Sequence, residues 1–125
     1  MMAQEQAILK AKVQFDQMVQ GIWQAAAQGH PIDQMERDLW QQLLGMGQTM
    51  LQGYVDLQGT GDLGETLDYG GRTLRRLEEL HDRRYVSVFG ELTISRTVYG
   101  TRETQKHEVV PLDGRLALPE SPEAK

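Results

Sequence analysis

Arginines in the second half of the chain are the side chains whose type and spacing best suit binding chemistry. A guanidinium group is planar and can donate two parallel hydrogen bonds to a phosphate, so a cluster of such groups is typical of nucleic-acid binding. The cluster comprises Arg72, Arg75, Arg76, Arg83, Arg84, Arg96, Arg102 and Lys106. The first six of these are the predicted DNA-binding residues. A solvated charged surface, and contact with a protein or RNA partner, are the alternatives.

The distribution of charge limits how strongly this cluster can bind DNA. The chain has a formal net charge of −5, which opposes the approach of a phosphate backbone. Residues 1–70 contain three basic and nine acidic side chains, whereas residues 71–107 contain eight basic and five acidic ones, a local balance of +3. We therefore expect weak DNA binding that is confined to residues 71–107.

Other groupings that could support catalysis or cofactor binding are weaker. Glu78, Glu79 and Asp82 could hold metal ions, but they lie among arginines, so surface ion pairing is the simpler interpretation. Residues 59–64 spell G-x-G-x-x-G, but they follow a predicted helix and not a strand, which favours a turn or linker over a dinucleotide site. The histidines are isolated and there is no cysteine. We predict no catalytic residue, no metal site and no cofactor.

The first half of the chain predicts two long helices that form a hairpin. Over residues 4–28, apolar side chains recur at alternating spacings of three and four, which indicates an amphipathic helix. These side chains are Ile8, Ala11, Phe15, Met18, Ile22 and Ala25. Glycine at position 29 and proline at position 31 are expected to end this helix, and a second helix is expected to run to about residue 57.

The second helix carries two apolar stripes, so it must be covered on two sides. The first stripe is Met35, Leu39, Leu43, Met46, Met50 and Tyr54, and the second is Trp40, Leu44, Gly47, Leu51 and Val55. The first helix can cover only one of them. The other must be covered by the β-hairpin, by another chain or by a further domain. We expect a homo-oligomer, with its self-association surface at Trp40, Leu44, Leu51 and Val55.

The remaining residues predict a small antiparallel sheet, so the fold class is α+β. Five glycines in residues 59–71 indicate a linker, and a short basic helix is expected over residues 72–82. A β-hairpin should follow, with Gly90 and Glu91 as its turn. The expected pairs are Phe89 with Leu92, Ser87 with Ile94 and Tyr85 with Arg96, which places Phe89, Leu92, Ile94 and Tyr85 on one face. A third strand is expected near residues 108–111. The predicted domains are a helical hairpin (1–58), a linker (59–71), a basic helix with a β-hairpin (72–119) and a disordered tail (120–125).

The hairpin sequence resembles a known family. Residues 83–100 read R-R-Y-V-S-V-F-G-E-L-T-I-S-R-T-V-Y-G, and V-V-P-L-D follows at 109–113, then Leu116, Leu118 and Pro119. This pattern resembles the region that precedes the catalytic domain in bacterial insertion-sequence transposases of the ISKra type. The likeness covers roughly residues 30 to 120, and the helical part is compatible with it. Such transposases continue into a ribonuclease-H-like domain with three catalytic carboxylates, which these 125 residues do not contain.

The resemblance implies a non-catalytic N-terminal module or truncated remnant of a DNA transposase, for DNA-end binding and subunit assembly. The competing hypothesis is a stand-alone oligomerisation protein with no nucleic-acid affinity. An apolar content of 39% with 25% charged residues favours a folded domain over a disordered chain. No apolar run approaches the roughly 20 residues of a membrane span, and no signal peptide is recognised, so we expect no membrane association and a cytoplasmic location.

Overall fold

A computed structural model describes residues 3–101 and 109–119. The fold class is α+β, as predicted: a helical hairpin is combined with small antiparallel sheets. The chain forms two compact units. One contains residues 1–57 and 84–93, and the other contains residues 58–83 and 94–125. The predicted tail at 120–125, and the basic residues Arg102 and Lys106, lie outside the described residues.

Two helices of equal length make up most of the first unit. Helix α1 spans Ala3–Gln28 and helix α2 spans Ile32–Leu57, so both predicted C-terminal ends are confirmed. Gly29 ends α1 with a φ of 68°, the left-handed region that favours glycine. The backbone N–H of His30 donates to the carbonyl of Ala25, which caps the end of α1. Because only three residues separate the helices, they run antiparallel.

The contact between the two helices uses two alanines and a methionine on α1. Ala11, Met18 and Ala25 are each buried to about 8% exposure, and they recur every seven residues. On α2, Met35 and Met46 are half-buried and Gly53 is buried. Alanine and glycine allow the helix backbones to approach closely.

The predicted β-hairpin is present, but its turn lies two residues earlier than expected. Strand β3 spans His81–Ser87 and strand β4 spans Gly90–Arg96, so Val88 and Phe89 form the turn. The Ser87 hydroxyl closes this turn, because it donates to the Gly90 carbonyl (2.7 Å) and accepts from the Phe89 N–H (3.1 Å). Gly90, with a φ of 117°, follows the turn and does not lie within it.

The position of the turn changes the strand pairing, but three of the four side chains predicted to share a face do so. Phe89 is in the turn, so it is not opposite Leu92, and Ser87 lies next to Gly90 and not opposite Ile94. Tyr85 therefore does not lie opposite Arg96. Instead, the Arg96 Nε–H donates to the His81 carbonyl (3.3 Å). Tyr85, Leu92 and Ile94 do share the more buried face of the hairpin.

The hairpin turn packs on α2 within the first unit. A Cβ atom added at Gly47 would lie 2.5 Å from Cδ1 of Phe89, so the aromatic ring lies directly against the helix backbone. The side chains of Gln48 and Gln52 bond to the backbone of β4. Gln48 donates to the Glu91 carbonyl (2.6 Å), and Gln52 both donates to the Thr93 carbonyl (2.8 Å) and accepts from the Thr93 N–H (3.0 Å).

This close approach predicts opposite effects for two alanine substitutions in the same helix. Gly45→Ala meets no atom within 4 Å and should stabilise the protein by up to about 1 kcal/mol, because alanine favours helix. Gly47→Ala should be about 1 kcal/mol or more less stable than Gly45→Ala, because the methyl group displaces the Phe89 ring. Urea unfolding measures the difference. Equal stability of the two variants would contradict the packing of Phe89, and Phe89→Ala should remove the difference.

The second unit contains a three-stranded antiparallel sheet that replaces the predicted basic helix. Strand β1 spans Thr66–Tyr69, strand β2 spans Arg72–Arg76 and strand β5 spans Tyr99–Gly100, in the order β1-β2-β5. The expectation of a helix over residues 72–82 is therefore wrong. Gly70 and Gly71 both have positive φ (58° and 75°), which is the geometry of a two-residue hairpin turn. Residues 66–71, which were expected to be linker, belong to this hairpin.

The core of the second unit brings together side chains from several of its segments. Its fully buried members are Leu74, Ile94, Val98, Tyr99 and Leu112. The strand expected near residues 108–111 is reduced to one bridge between Val109 and Tyr99, because the short helix α3 (Pro111–Arg115) begins two residues later. Residue 108 is outside the described part of the chain.

Candidate functional sites

Arg72, Arg75 and Arg76 do not form the single basic face expected of a helix. They lie on strand β2, where successive side chains point to opposite faces of the sheet. Arg72 and Arg76 therefore share a face with the buried Leu74, and Arg75 projects from the other face. Arg72 and Arg75 are exposed and make no ion pair within the part of the chain that the structure describes.

Arg76 forms an ion pair with Asp62. Its Nη1 lies 2.8 Å from both carboxylate oxygens of Asp62. The pKa of Asp62 is lowered below 3.8, first by the N–H of Gly64, which donates to its carboxylate, and then by Arg76. Asp62 therefore favours the folded state above that pH, and this contribution is lost as the pH falls through the lowered pKa. A phosphate would have to displace this carboxylate to reach Arg76.

Arg83 and Arg96 lie in a half-buried cluster with Asp113. Nη1 of Arg96 lies 2.8 and 3.1 Å from the two carboxylate oxygens of Asp113, and Nη1 of Arg83 lies 3.6 Å from the nearer one. The arginine side chains are only 15% and 10% exposed, and Asp113 is 29% exposed. Arg83 also donates to the Pro119 carbonyl. These two arginines hold helix α3 against the base of the hairpin, so neither presents its guanidinium to a ligand in solution.

Arg84 is the last of the six predicted DNA-binding residues. Its side chain is 57% exposed, and its Nη1 lies 3.7 Å from the Glu91 carboxylate on the facing strand. An ion pair at this distance and exposure is weak. Of the predicted set, Arg72 and Arg75 are therefore the best placed for a phosphate, and Arg84 comes next.

The G-x-G-x-x-G segment is held in place by a buried tyrosine. The Tyr99 hydroxyl accepts a hydrogen bond from the Leu63 N–H (2.8 Å) and donates to the Gly64 carbonyl (2.6 Å). Gly61 packs so tightly that an added Cβ would lie 2.9 Å from the backbone nitrogen of Leu112. The segment leads into strand β1 and not into a helix. It lacks the helix N-terminus that binds a pyrophosphate in dinucleotide sites.

Of the predicted acidic group, Asp82 bonds to the facing strand of the hairpin. The Asp82 carboxylate accepts a hydrogen bond from the Ser95 hydroxyl (2.8 Å). Over residues 3–101 and 109–119, no group of three or more histidine or carboxylate side chains is arranged to hold a metal ion. A cleft of about 690 Å³ lies beside β2. Its lining includes both positive and negative side chains, among them Arg75, Glu65 and Glu78.

The stripe predicted to mediate self-association is largely covered by the hairpin. Val55 is buried, and Leu44 and Leu51 are half-buried, because the Phe89 ring and strand β4 lie along this side of α2. Trp40, which precedes the covered part, is 59% exposed. Of the three coverings that the sequence allowed, the hairpin is the one observed.

Other apolar side chains of the helices remain exposed. They are Ile8, Leu9, Val13, Phe15, Ile22 and Trp23 on α1, and Ile32, Leu43, Met50, Tyr54 and Leu57 on α2. Nothing in the periodicity distinguished these residues from the core, because the same pattern serves a core and an interface. No helix in the described residues has the length and apolar character needed to cross a bilayer.

Comparisons with protein-family models, with curated proteins and with solved structures give no significant match.

Proposed function

We propose that this chain is the non-catalytic N-terminal module of a bacterial insertion-sequence transposase of the ISKra type. In this proposal it assembles transposase subunits and makes weak contacts with the DNA ends of the element in the cytoplasm. The proposal is supported by the residue pattern at 83–119, three of whose charged members meet in one cluster. Arg83, Arg96 and Asp113 all belong to that pattern, and their ion pairs give a physical reason for their occurring together.

The observation that carries the assembly role is the uncovered apolar surface of the helical hairpin. Monomeric proteins seldom expose a large contiguous apolar patch, and such patches commonly mark interaction sites. Here Phe15 is 55% exposed, Met50 is 53% exposed and Leu57 is 53% exposed. A partner surface that buries these side chains would remove this area from water.

DNA contact in this proposal is restricted to the β1–β2 hairpin. Arg72 and Arg75 are exposed and lie close to the Gly70–Gly71 turn. Four of the six predicted arginines have acidic partners, so fewer phosphate contacts are available than the sequence suggested. The second candidate function, assembly without DNA binding, is favoured by this same observation.

Salt-dependent DNA binding separates the two candidates. Fluorescence anisotropy with a labelled duplex should show weak binding at low salt. Arg72→Ala/Arg75→Ala should reduce the slope of log K against log salt by about one to two units, since the two side chains project from opposite faces of β2. The effect should be the same for unrelated sequences, because phosphates carry no base identity.

The matched control is Lys12→Ala/Arg37→Ala, which also removes two positive charges, but from the helices. It should leave the salt slope unchanged. Equal losses in both double variants would mean that only the overall charge matters. If the unmodified chain shows no binding at low salt, the DNA-binding role is rejected and assembly alone remains.

A further inference from the structure

The exposed apolar residues of α1 form a regular column beside the buried one. Ile8, Phe15 and Ile22 recur every seven residues and are 39%, 55% and 45% exposed. Together with the buried column at positions 11, 18 and 25 they give the alternating three-and-four spacing of a heptad repeat. Helix α2 covers only one of the two columns. Half of the heptad repeat of α1 is therefore without a partner among the described residues.

Helix α2 has an equivalent column. Leu43, Met50 and Leu57 also recur every seven residues, with exposures of 41%, 53% and 53%. They flank Met46 and Gly53, which share a side of α2 with Met35 because they follow it by 11 and 18 residues. Met35 lines a common groove with Ala25 of α1, so this side of α2 faces α1. The stripe covered by the β-hairpin lies on a different side of this helix.

The two exposed columns lie on the same side of the helical hairpin. In α1, Phe15 comes four residues after the buried Ala11, and in α2, Leu57 comes four residues after the buried Gly53. Viewed from the N-terminus of its own helix, each exposed column is therefore turned about the helix axis in the same direction, away from the residues that contact the other helix. Two antiparallel helices are related by an approximate two-fold axis perpendicular to their common plane, so equal rotations point to the same side. The columns form one continuous apolar face.

The composition of this face restricts what can cover it. The spans of the two columns, residues 8–22 of α1 and 43–57 of α2, contain four charged side chains, Lys10, Lys12, Asp16 and Asp56, whose charges sum to zero. Nucleic acid or a charged peptide would find no net counter-charge there, whereas an equally apolar and neutral surface would fit. The same face on a second copy has these properties, and a two-fold axis brings identical columns together.

The face runs along about four turns of each helix. The columns at 8–22 and 43–57 each cover 14 residue steps, or about 21 Å, which is the length over which two copies would pack.

We propose that this face, formed by the columns at Ile8, Phe15 and Ile22 and at Leu43, Met50 and Leu57, joins two copies of the chain into a four-helix bundle. The inference deepens the assembly role proposed above by naming its partner and its surface. The proposed interface differs from the self-association surface predicted from the sequence, which was Trp40, Leu44, Leu51 and Val55.

The test is the mass of the whole chain in solution, measured by light scattering after size exclusion and by sedimentation equilibrium. The unmodified chain should be a dimer. Phe15→Glu and Met50→Glu should each weaken dimerisation by roughly a hundredfold or more, because each buries an unpaired carboxylate. Far-UV circular dichroism and urea unfolding at low protein concentration check that the variants fold.

The matched control is Val13→Glu. Val13 is 54% exposed, nearly the same as Phe15, and lies on α1 outside both columns. It should leave the dimer intact. A monomeric unmodified chain at high micromolar concentration, or equal effects of Val13→Glu and Phe15→Glu, would overturn the proposal. A dimer that binds no DNA would leave this inference standing while rejecting the DNA-binding role.

Discussion

Asp113→Ala is expected to destabilise the protein by about 3 kcal/mol, because it leaves the two half-buried arginines of the cluster without a counter-charge. Arg83 and Arg96 are only 10% and 15% exposed on their side chains. Water cannot fully replace the lost carboxylate at those positions. The 29% exposure of Asp113 places the expected loss at the lower end of the range for buried pairs. Urea unfolding followed by circular dichroism measures it.

Asp33→Ala is the control for this prediction. Asp33 also pairs with an arginine, Arg37, at 3.2 Å, but both side chains are about 70% exposed. Its loss should cost less than about 0.5 kcal/mol. A second check replaces the whole cluster, as Arg83→Met/Arg96→Met/Asp113→Leu, which should recover most of the stability that Asp113→Ala loses. Equal effects of Asp113→Ala and Asp33→Ala would show that the cluster is not effectively buried.

Tyr99→Phe is expected to destabilise the protein by about 1–3 kcal/mol, because it removes one hydroxyl and leaves two backbone groups without a partner. Tyr99 is fully buried, and its hydroxyl bonds to the N–H of Leu63 and the carbonyl of Gly64. Amide hydrogen exchange at Leu63 should quicken in the variant even where the rest of the second unit remains protected. Tyr54→Phe, which changes an exposed tyrosine, should have almost no effect. Unchanged exchange at Leu63 would contradict the role of this hydroxyl.

The helices could be predicted from the sequence because their signals are local. The three-and-four spacing and the glycine and proline near position 30 were sufficient to give both C-terminal ends. The β-hairpin was also predictable from its β-branched and aromatic residues. Its turn was predicted at the wrong position because glycine is favoured in turns and Gly90 was placed there. In the structure, the hydroxyl of Ser87 closes a turn formed by Val88 and Phe89.

The basic helix was predicted wrongly because its residues favour a helix when taken alone. Residues 72–80 read R-T-L-R-R-L-E-E-L, in which arginine, leucine and glutamate are all good helix formers. Pairing with β1 overrides this preference, since Leu74 lies opposite Leu67 and becomes part of the core. The Gly70–Gly71 turn was the local signal for this outcome.

The candidate site was the least predictable part. Arginines were identified by type, but the sequence does not show which of them have acidic partners. Asp113 lies 17 residues from Arg96, and Asp62 lies 14 residues from Arg76, so neither pair follows from helix or hairpin spacing. Exposure of Phe15 and burial of Met18 likewise depend on which side of α1 faces α2.

The division of the chain into units has a consequence for its synthesis and for any attempt to shorten it. The helical unit includes residues 84–93, so the chain leaves this unit after residue 57 and returns to it later. Gln48 and Gln52 cannot find their backbone partners until Glu91 and Thr93 have emerged from the ribosome. A polypeptide cut after residue 57 would lack residues 84–93, so it would expose the α2 stripe that Phe89 covers. No single cut separates the two units. The helical half is therefore expected to complete its fold only after translation has passed residue 93.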